Sequence, residues 1–203
     1  EDAIFSDLRA RLYMTVDEAK AAYAAAPDWF RALCDAWADG LNYYLLTPDH
    51  GSAPVSQRDL RVGVGPVELP EYLARPHILV QAGNSRVVAD RSHRWAGALQ
   101  KNFTDVLTTN IGHRLARGDV AIYPWESPRT VDRQVVIKVT RFIASDNGVH
   151  LDARWRLLDR KGDQVQSGNI SLTEPADTRD YDAIVTAMSR LTGRLADRIV
   201  PLL

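Results

Sequence analysis

A chain of 203 residues that is 45% apolar and 25% charged, with a net charge of −1, has the composition of an ordinary globular protein. The near-neutral balance excludes the basic footprint of a nucleic-acid-binding domain, and the single cysteine, Cys34, excludes an internal disulfide framework. No apolar run reaches the roughly 18–20 residues that span a bilayer, and no charged-then-apolar signal segment opens the sequence.

Charge is unevenly distributed along the chain. Residues 1–50 hold four basic and nine acidic side chains, net −5, against 21 basic and 17 acidic in the remainder, net +4. Residues 1–40 read as helical. Ile4, Phe5, Leu8 and Leu12 share one helix face. Thr15-Val16-Asp17-Glu18 is a capping-box pattern before the alanine-rich run Ala19–Ala26. Pro27 suits a first helical turn, Trp29, Phe30, Leu33 and Trp37 continue the stripe, and Gly40 is a good stop. Residues 1–41 are therefore predicted to be a helical extension that the remainder, 42–203, does not need in order to fold.

From Leu41 the pattern changes. Tyr43-Tyr44-Leu45-Leu46 is strand-like and ends at Pro48, and Asp49–Arg58 is a polar loop. Leu60–Val67 alternates as a strand, and Glu68–Pro76 is a short irregular or single-turn piece bracketed by prolines. Ile78–Gln81 and Arg86–Ala89 form a hairpin around Gly83-Asn84. Ser92–Leu115 is predicted as a long amphipathic helix burying Trp95, Leu99, Phe103, Val106, Leu107, Ile111 and Leu115, and Val120–Tyr123 as a short strand closed by Pro124-Trp125.

Gln134–Leu172 is the most sharply patterned stretch. Its three runs, Gln134–Ala144, Val149–Leu158 and Gln164–Leu172, predict an antiparallel meander with turns at Asp146-Asn147-Gly148 and Asp159–Asp163. In the first run strict alternation sets Val135, Ile137, Val139, Arg141 and Ile143 against Val136, Lys138, Thr140 and Phe142, so neither face is wholly polar. Tyr181, Ile184, Val185, Met188, Leu191, Leu195 and Ile199 stripe a final helix that Pro201 ends. The expected fold is α+β: a mixed, largely antiparallel sheet with two amphipathic helices packed on one face, plus the N-terminal helical extension.

No chemistry-bearing constellation stands out. His50, His77, His93, His113 and His150 lack metal-ligand spacing with one another or with a carboxylate or thiol, so no metal and no cofactor is expected. Asp90 and His93 make a conceivable acid–base pair, but a helix-start cap beside a surface imidazole is the favoured reading. Val62-Gly63-Val64-Gly65-Pro66 lacks the third glycine of a phosphate loop and reads as close backbone packing in a sheet. Cys34 reads as a helix residue.

From Tyr43 onward, ordered motifs carry a resemblance: Tyr43-Tyr44-Leu45-Leu46-Thr47-Pro48, Val62–Leu73, Arg75-Pro76-His77-Ile78-Leu79-Val80, Arg94-Trp95-Ala96, Tyr123-Pro124-Trp125, Leu151-Asp152-Ala153-Arg154-Trp155, Asp180-Tyr181 and Ala187-Met188-Ser189. In this stretch the chain resembles the PqiC/YmbA family of ABC-type transport auxiliary lipoproteins. Ala38–Leu45, with the helical run before it, resembles instead a helical piece of the penicillin-acylase family, without that family's terminal-nucleophile segment.

The first resemblance implies a non-enzymatic accessory subunit of an MCE-type lipid-transport system. It further implies a periplasmic location at the outer membrane, docking to a tunnel-forming partner, phospholipid as the material passed, and homo-oligomeric rings. Family members carry a lipidated cysteine shortly before their Tyr-Tyr-Leu-Leu strand; Arg31-Ala32-Leu33-Cys34 is no lipobox. Tyr72, Trp95, Tyr123, Trp125 and Trp155 are the candidate binding or interface residues; a groove lined by Trp95, Trp125 and Trp155 is one reading of the tryptophans, and ordinary core or interface packing is the favoured one. The alternatives are an acylase-like amidohydrolase fragment, or a small-ligand-binding periplasmic module.

Overall fold

A computed structural model of the chain describes residues 15–31, 34, 42–49, 59–115, 118–125, 131–146 and 148–203. Its internal contacts divide into two units, Glu1–Asn42 and Tyr43–Leu203. In the first unit the capping box forms as the sequence predicts. Helix α1 spans Val16–Ala24; Thr15 Oγ1 accepts from the Glu18 N–H, and the Glu18 carboxylate accepts from the Thr15 N–H at 2.8 Å. Asp17 and Glu18 also sit where the helix dipole favours negative charge. A further turn starts at Pro27, whose carbonyl accepts from the Phe30 and Arg31 N–H groups, and Cys34 is helical and half-buried. The stripes at Ile4–Leu12 and at Leu33 and Trp37, the Gly40 stop and most of the 49–58 loop lie outside the described residues.

From Asn42 on, the described residues form one eight-stranded mixed sheet with two long helices. Its strands are β1 (Asn42–Tyr44), β2 (Arg61–Glu68), β3 (His77–Ala82), β4 (Arg86–Trp95), β5 (Asp119–Ile122), β6 (Arg133–Ser145), β7 (Gly148–Asp159) and β8 (Gln164–Glu174). A 3₁₀ turn, Glu71–Ala74, lies between β2 and β3, as the proline-bracketed piece suggests. Strand β6 is the axis. Along one side it pairs antiparallel with β7 over its full length, and β7 pairs with β8, giving the predicted meander. Its other side is shared between β2, parallel to its first half, and β3, parallel near Ala144. The sheet thus branches, with β5 beyond β2 and β4 and β1 beyond β3. At the β6–β7 turn Gly148 takes φ +112°, and a Cβ there would come within 2.4 Å of the Glu174 carbonyl, so only glycine fits.

Two expectations are corrected. Strict alternation along β6 sets Phe142 opposite Val139. A bulge between Val139 and Arg141 resets the phase, so Phe142 pairs with Leu151 and joins Val135, Ile137 and Val139 on the core side. The helix expected from Ser92 starts instead at Leu99, giving α2 (Leu99–Arg114). Residues 92–95 complete β4 because the backbone there has strand partners: the Trp95 N–H donates to the Pro76 carbonyl at 2.7 Å and the Ala96 N–H to Tyr44 at 2.9 Å. The same contacts move His93 from a helix start into a strand. Helix α3 spans Tyr181–Ile199, as its stripe predicts, and a 3₁₀ turn with Pro201 follows.

α2 contacts β2 and β5, α3 contacts β7 and β8, and the helices pack on each other. Leu46–Asp49 is pinned to both. Asn102 exchanges hydrogen bonds with the Leu46 backbone, the Ser189 hydroxyl accepts from the Thr47 N–H, and Asn110 Oδ1 accepts from the Asp49 N–H at 2.8 Å. These side chains supply hydrogen bonds to the backbone of a segment that lies outside the described strands.

Asp132 closes the start of β6 against β2. Its carboxylate accepts from the Arg61 N–H at 2.9 Å and from Arg160 Nε at 2.7 Å. These donors, the Arg61 backbone foremost, hold its pKa below the ordinary aspartate value. Asp132→Asn should cost about 1 kcal/mol at neutral pH. A depressed carboxyl contributes its stability above the unfolded value, near 3.9, and loses it as pH falls through the folded one. Urea midpoints of wild type and variant should therefore converge only below about pH 4.

We expect deletion of residues 1–41 to leave a cooperative unfolding transition and the near-UV dichroism of the body. A truncated chain that melts without a transition would mean the extension belongs to the core.

Candidate docking surface

Of the five candidate aromatic residues, two come together. Strand β2 carries glycine at alternate positions, Gly63 and Gly65, and each receives an aromatic residue that follows β5. Where Gly63 would carry a Cβ, the Trp125 indole stands 2.5 Å away, so the ring lies directly on backbone. At Gly65, which takes φ +122°, the Tyr123 Cβ stands 2.7 Å from the same point. The Tyr123 N–H donates to the Val64 carbonyl at 2.9 Å, carrying the β2–β5 pairing one residue past the strand. The Gln134 amide donates to the Gly65 carbonyl at 2.8 Å and fixes the bulged backbone from the β6 side. The two rings meet edge to face, centroids 5.3 Å apart at 89°. The reading of Val62–Pro66 as close backbone packing therefore holds, with an indole as the packed group.

This ledge faces outward. Tyr123 is 49% exposed and Ile122 43%, and both border a groove of about 500 Å³ whose other wall is Gln100, Lys101, Thr104 and Asp105 of α2. Exposed aromatic and branched side chains beside a groove with a polar rim are the usual make-up of a protein-docking site.

The other three residues lie apart from it. Trp95, at the end of β4, is 5% exposed, and Trp155 of β7 is 7% exposed with its ring across Gly168 of β8. Tyr72, in the 3₁₀ turn, borders a separate shallow pocket with Gln81, Arg141 and Ile143. Burial pushes its phenol above the ordinary value, opposed by a Phe142 backbone hydrogen bond and by Arg141.

The sequence gives no sign of a second aromatic group. His93 stacks on Tyr181 at 3.8 Å, with Tyr44 5.9 Å away, and its Nδ1 stands 3.2 Å from Asp90 Oδ1. The three rings come from segments far apart in the chain, so no spacing announces the stack. The Tyr44 phenol is pushed up by burial and then by the Asp182, Asp180 and Asp90 carboxylates. With one ring face covered by Tyr181, His93 is a packed side chain. Among the described residues no group of three or more His, Cys, Asp or Glu side chains is arranged to hold a metal. None of the described helices is long and apolar enough to cross a membrane.

Gly63→Ala tests the ledge. The added methyl overlaps the indole and should cost about 1–3 kcal/mol, and the same change in a Trp125→Ala background should cost less than half of that. Equal costs in both backgrounds, read from denaturant midpoints, would mean that Trp125 does not rest on β2.

Comparison with known proteins bears on the second unit. The family model described as "ABC-type transport auxiliary lipoprotein component" matches residues 43–200. No curated protein sequence matches the chain. Among solved structures, one described only as an uncharacterized protein is similar at 22% identity and TM-score 0.64, over 80% of this chain and 97% of its own. Protein XCC0632 from Xanthomonas campestris, of family DUF330, is similar at 17% identity and TM-score 0.62, over 78% and 92%. At these identities the likeness is one of fold. The family match begins at Tyr43, so the acylase resemblance of the first 45 residues rests on their motif alone.

Proposed function

Because the chain belongs to the ABC-type transport auxiliary lipoprotein component family, we propose that it is a non-enzymatic accessory subunit of an MCE-type intermembrane lipid-transport system. On this reading it works in the periplasm at the outer membrane and docks to a tunnel-forming partner, with phospholipid as the material passed and a ring of copies as the working assembly. The observation that carries the docking role is the ledge in which exposed Tyr123 meets half-buried Trp125, with exposed Ile122 beside it. Its apolar area is built on glycine backbone, which fixes the rings in place before any partner arrives and lowers the entropy lost on binding. Mechanism then consists of association alone: desolvation of the ledge and its groove, with no bond made or broken.

The test is binding of the full chain to an MCE tunnel protein, measured by surface plasmon resonance. Ile122→Ser/Tyr123→Ser should leave the melting transition nearly unchanged, since both side chains are about half exposed, and weaken binding tenfold or more. Wild-type affinity in that variant removes the ledge from the reading. Turnover of a chromogenic acyl-amide, lost on substitution of one serine, would replace the reading with the amidohydrolase alternative.

A further inference from the structure

The meander ends in an open edge. Strand β8 runs eleven residues, Gln164–Glu174, and among the described residues pairs only with β7. Edges of this length are normally blunted by Lys, Arg or Pro, and β8 contains none. Two hydrogen bonds settle which of its backbone groups face outward. The Asp152 carbonyl accepts from the side-chain hydroxyl of Thr140, the bulged residue of β6, so that carbonyl points toward β6 and the backbone groups of residues in its phase share the direction. Their register partners on β8, which include Ser167, Asn169, Ser171 and Thr173, therefore direct theirs away from β7. Consistent with this, the Thr173 carbonyl is taken by Arg194 of α3 at 2.8 Å, which closes that end of the edge. Ser167, Asn169 and Ser171 remain, offering three N–H donors and three carbonyl acceptors along one line.

Beside Ser167 and Asn169 this face is basic, whereas across from Ser171 stands Asp152, whose carboxylate accepts from the Ser171 hydroxyl. Arg154 and Arg156 stand directly across from Asn169 and Ser167, with Lys138 one strand further in, opposite Arg154. They border a cleft of about 460 Å³ that includes Ser167, Gly168 and Asn169. Lys138 is 3.3 Å from Glu68, but neither Arg154 nor Arg156 has an ion-pair partner among the described residues. The side chains between them and the edge are short, so both guanidinium groups have a clear path over β8 to a strand laid beside it.

We propose that β8 accepts an extended acidic segment of a partner polypeptide as a ninth strand. Backbone hydrogen bonds at Ser167, Asn169 and Ser171 set its register, and Arg154 and Arg156 read Asp or Glu at alternate positions. A lipid surface fits less well, because the exposed side chains of β8 are mostly polar, Ser167, Asn169 and Ser171 among them, and Val165 is its one exposed large apolar group. The inference stands on a surface distinct from the Tyr123–Trp125 ledge, so its failure leaves that reading intact.

The probe is a displayed library of random seven-residue peptides panned against the full chain. Selected sequences should carry Asp or Glu at alternate positions and no proline. Binding of the best one should fall at least tenfold in Arg154→Gln/Arg156→Gln at unchanged melting temperature. It should be lost when alternate peptide amides are N-methylated, and should slow amide exchange at Ser167, Asn169 and Ser171. A panning that yields no binder, binders without acidic enrichment, or unchanged exchange at those three amides overturns the proposal. So does concentration-dependent pairing of two copies through this edge, or binding of anionic vesicles in place of peptide.

Discussion

Phe103→Ala should destabilise the protein by roughly 3–5 kcal/mol, while Lys101→Ala, two residues away on the same helix, should change stability by no more than about 0.5 kcal/mol. Phe103 is 0% exposed and meets Phe142 edge to face at 5.3 Å, so truncation loses both the transfer energy of a large side chain and the ring contact, and leaves a cavity under α2. Lys101 points to solvent, where its pair with Asp105 at 2.7 Å is open to water and contributes little. The comparison uses urea midpoints of the isolated protein. A Phe103→Ala midpoint equal to wild type would mean that α2 presents this face to a partner or a lipid instead of to the sheet.

Arg114→Met should cost about 3 kcal/mol, even though methionine fills much of the same volume. Arg114 is fully buried, with Nε 2.5 Å from Asp197 Oδ1, Nη1 3.1 Å from the Asn110 carbonyl and Nη2 3.5 Å from Asp49 Oδ2. It ties the ends of α2 and α3 to the Leu46–Asp49 segment. Removing one member of a buried ion pair leaves the others desolvated and uncompensated, at about 3–5 kcal/mol. The lower end applies here, because both aspartates keep about a third of their side-chain surface in water. Arg114→Lys should recover only part of the loss, since an ammonium cannot reach three partners in the plane of the guanidinium. Arg114→Met/Asp197→Asn should be more stable than Arg114→Met alone. If the double variant is the less stable of the two, Asp197 is not the counter-charge.

Period and punctuation carried most of the architecture. The two-residue alternation of β7, the turns at Asp159–Asp163 and Gly148, and the helical stripe of α3 are local signals, and local geometry satisfied them without revision. The Thr15–Glu18 box behaved the same way, because a cap needs only the residues within one turn. Membership of the transport-auxiliary family was legible too, since its motifs are short runs read in order along the chain.

Tertiary structure decided everything that depends on a partner distant in sequence. Ser92–Trp95 has acceptable helical spacing, yet it is strand, because the backbone of Pro76 and Tyr44 offers it hydrogen bonds. The bulge at Thr140 turns Phe142 toward the core, and nothing in the alternation marks it. The two glycines of β2 are visible in the sequence as gaps. That Trp125 and Tyr123 fill those gaps, while Trp95 and Trp155 are buried elsewhere, follows only from the β2–β5 register. The sequence determines the period of each element because period is set by neighbours along the chain. Which aromatic residue is left exposed is set by neighbours across space.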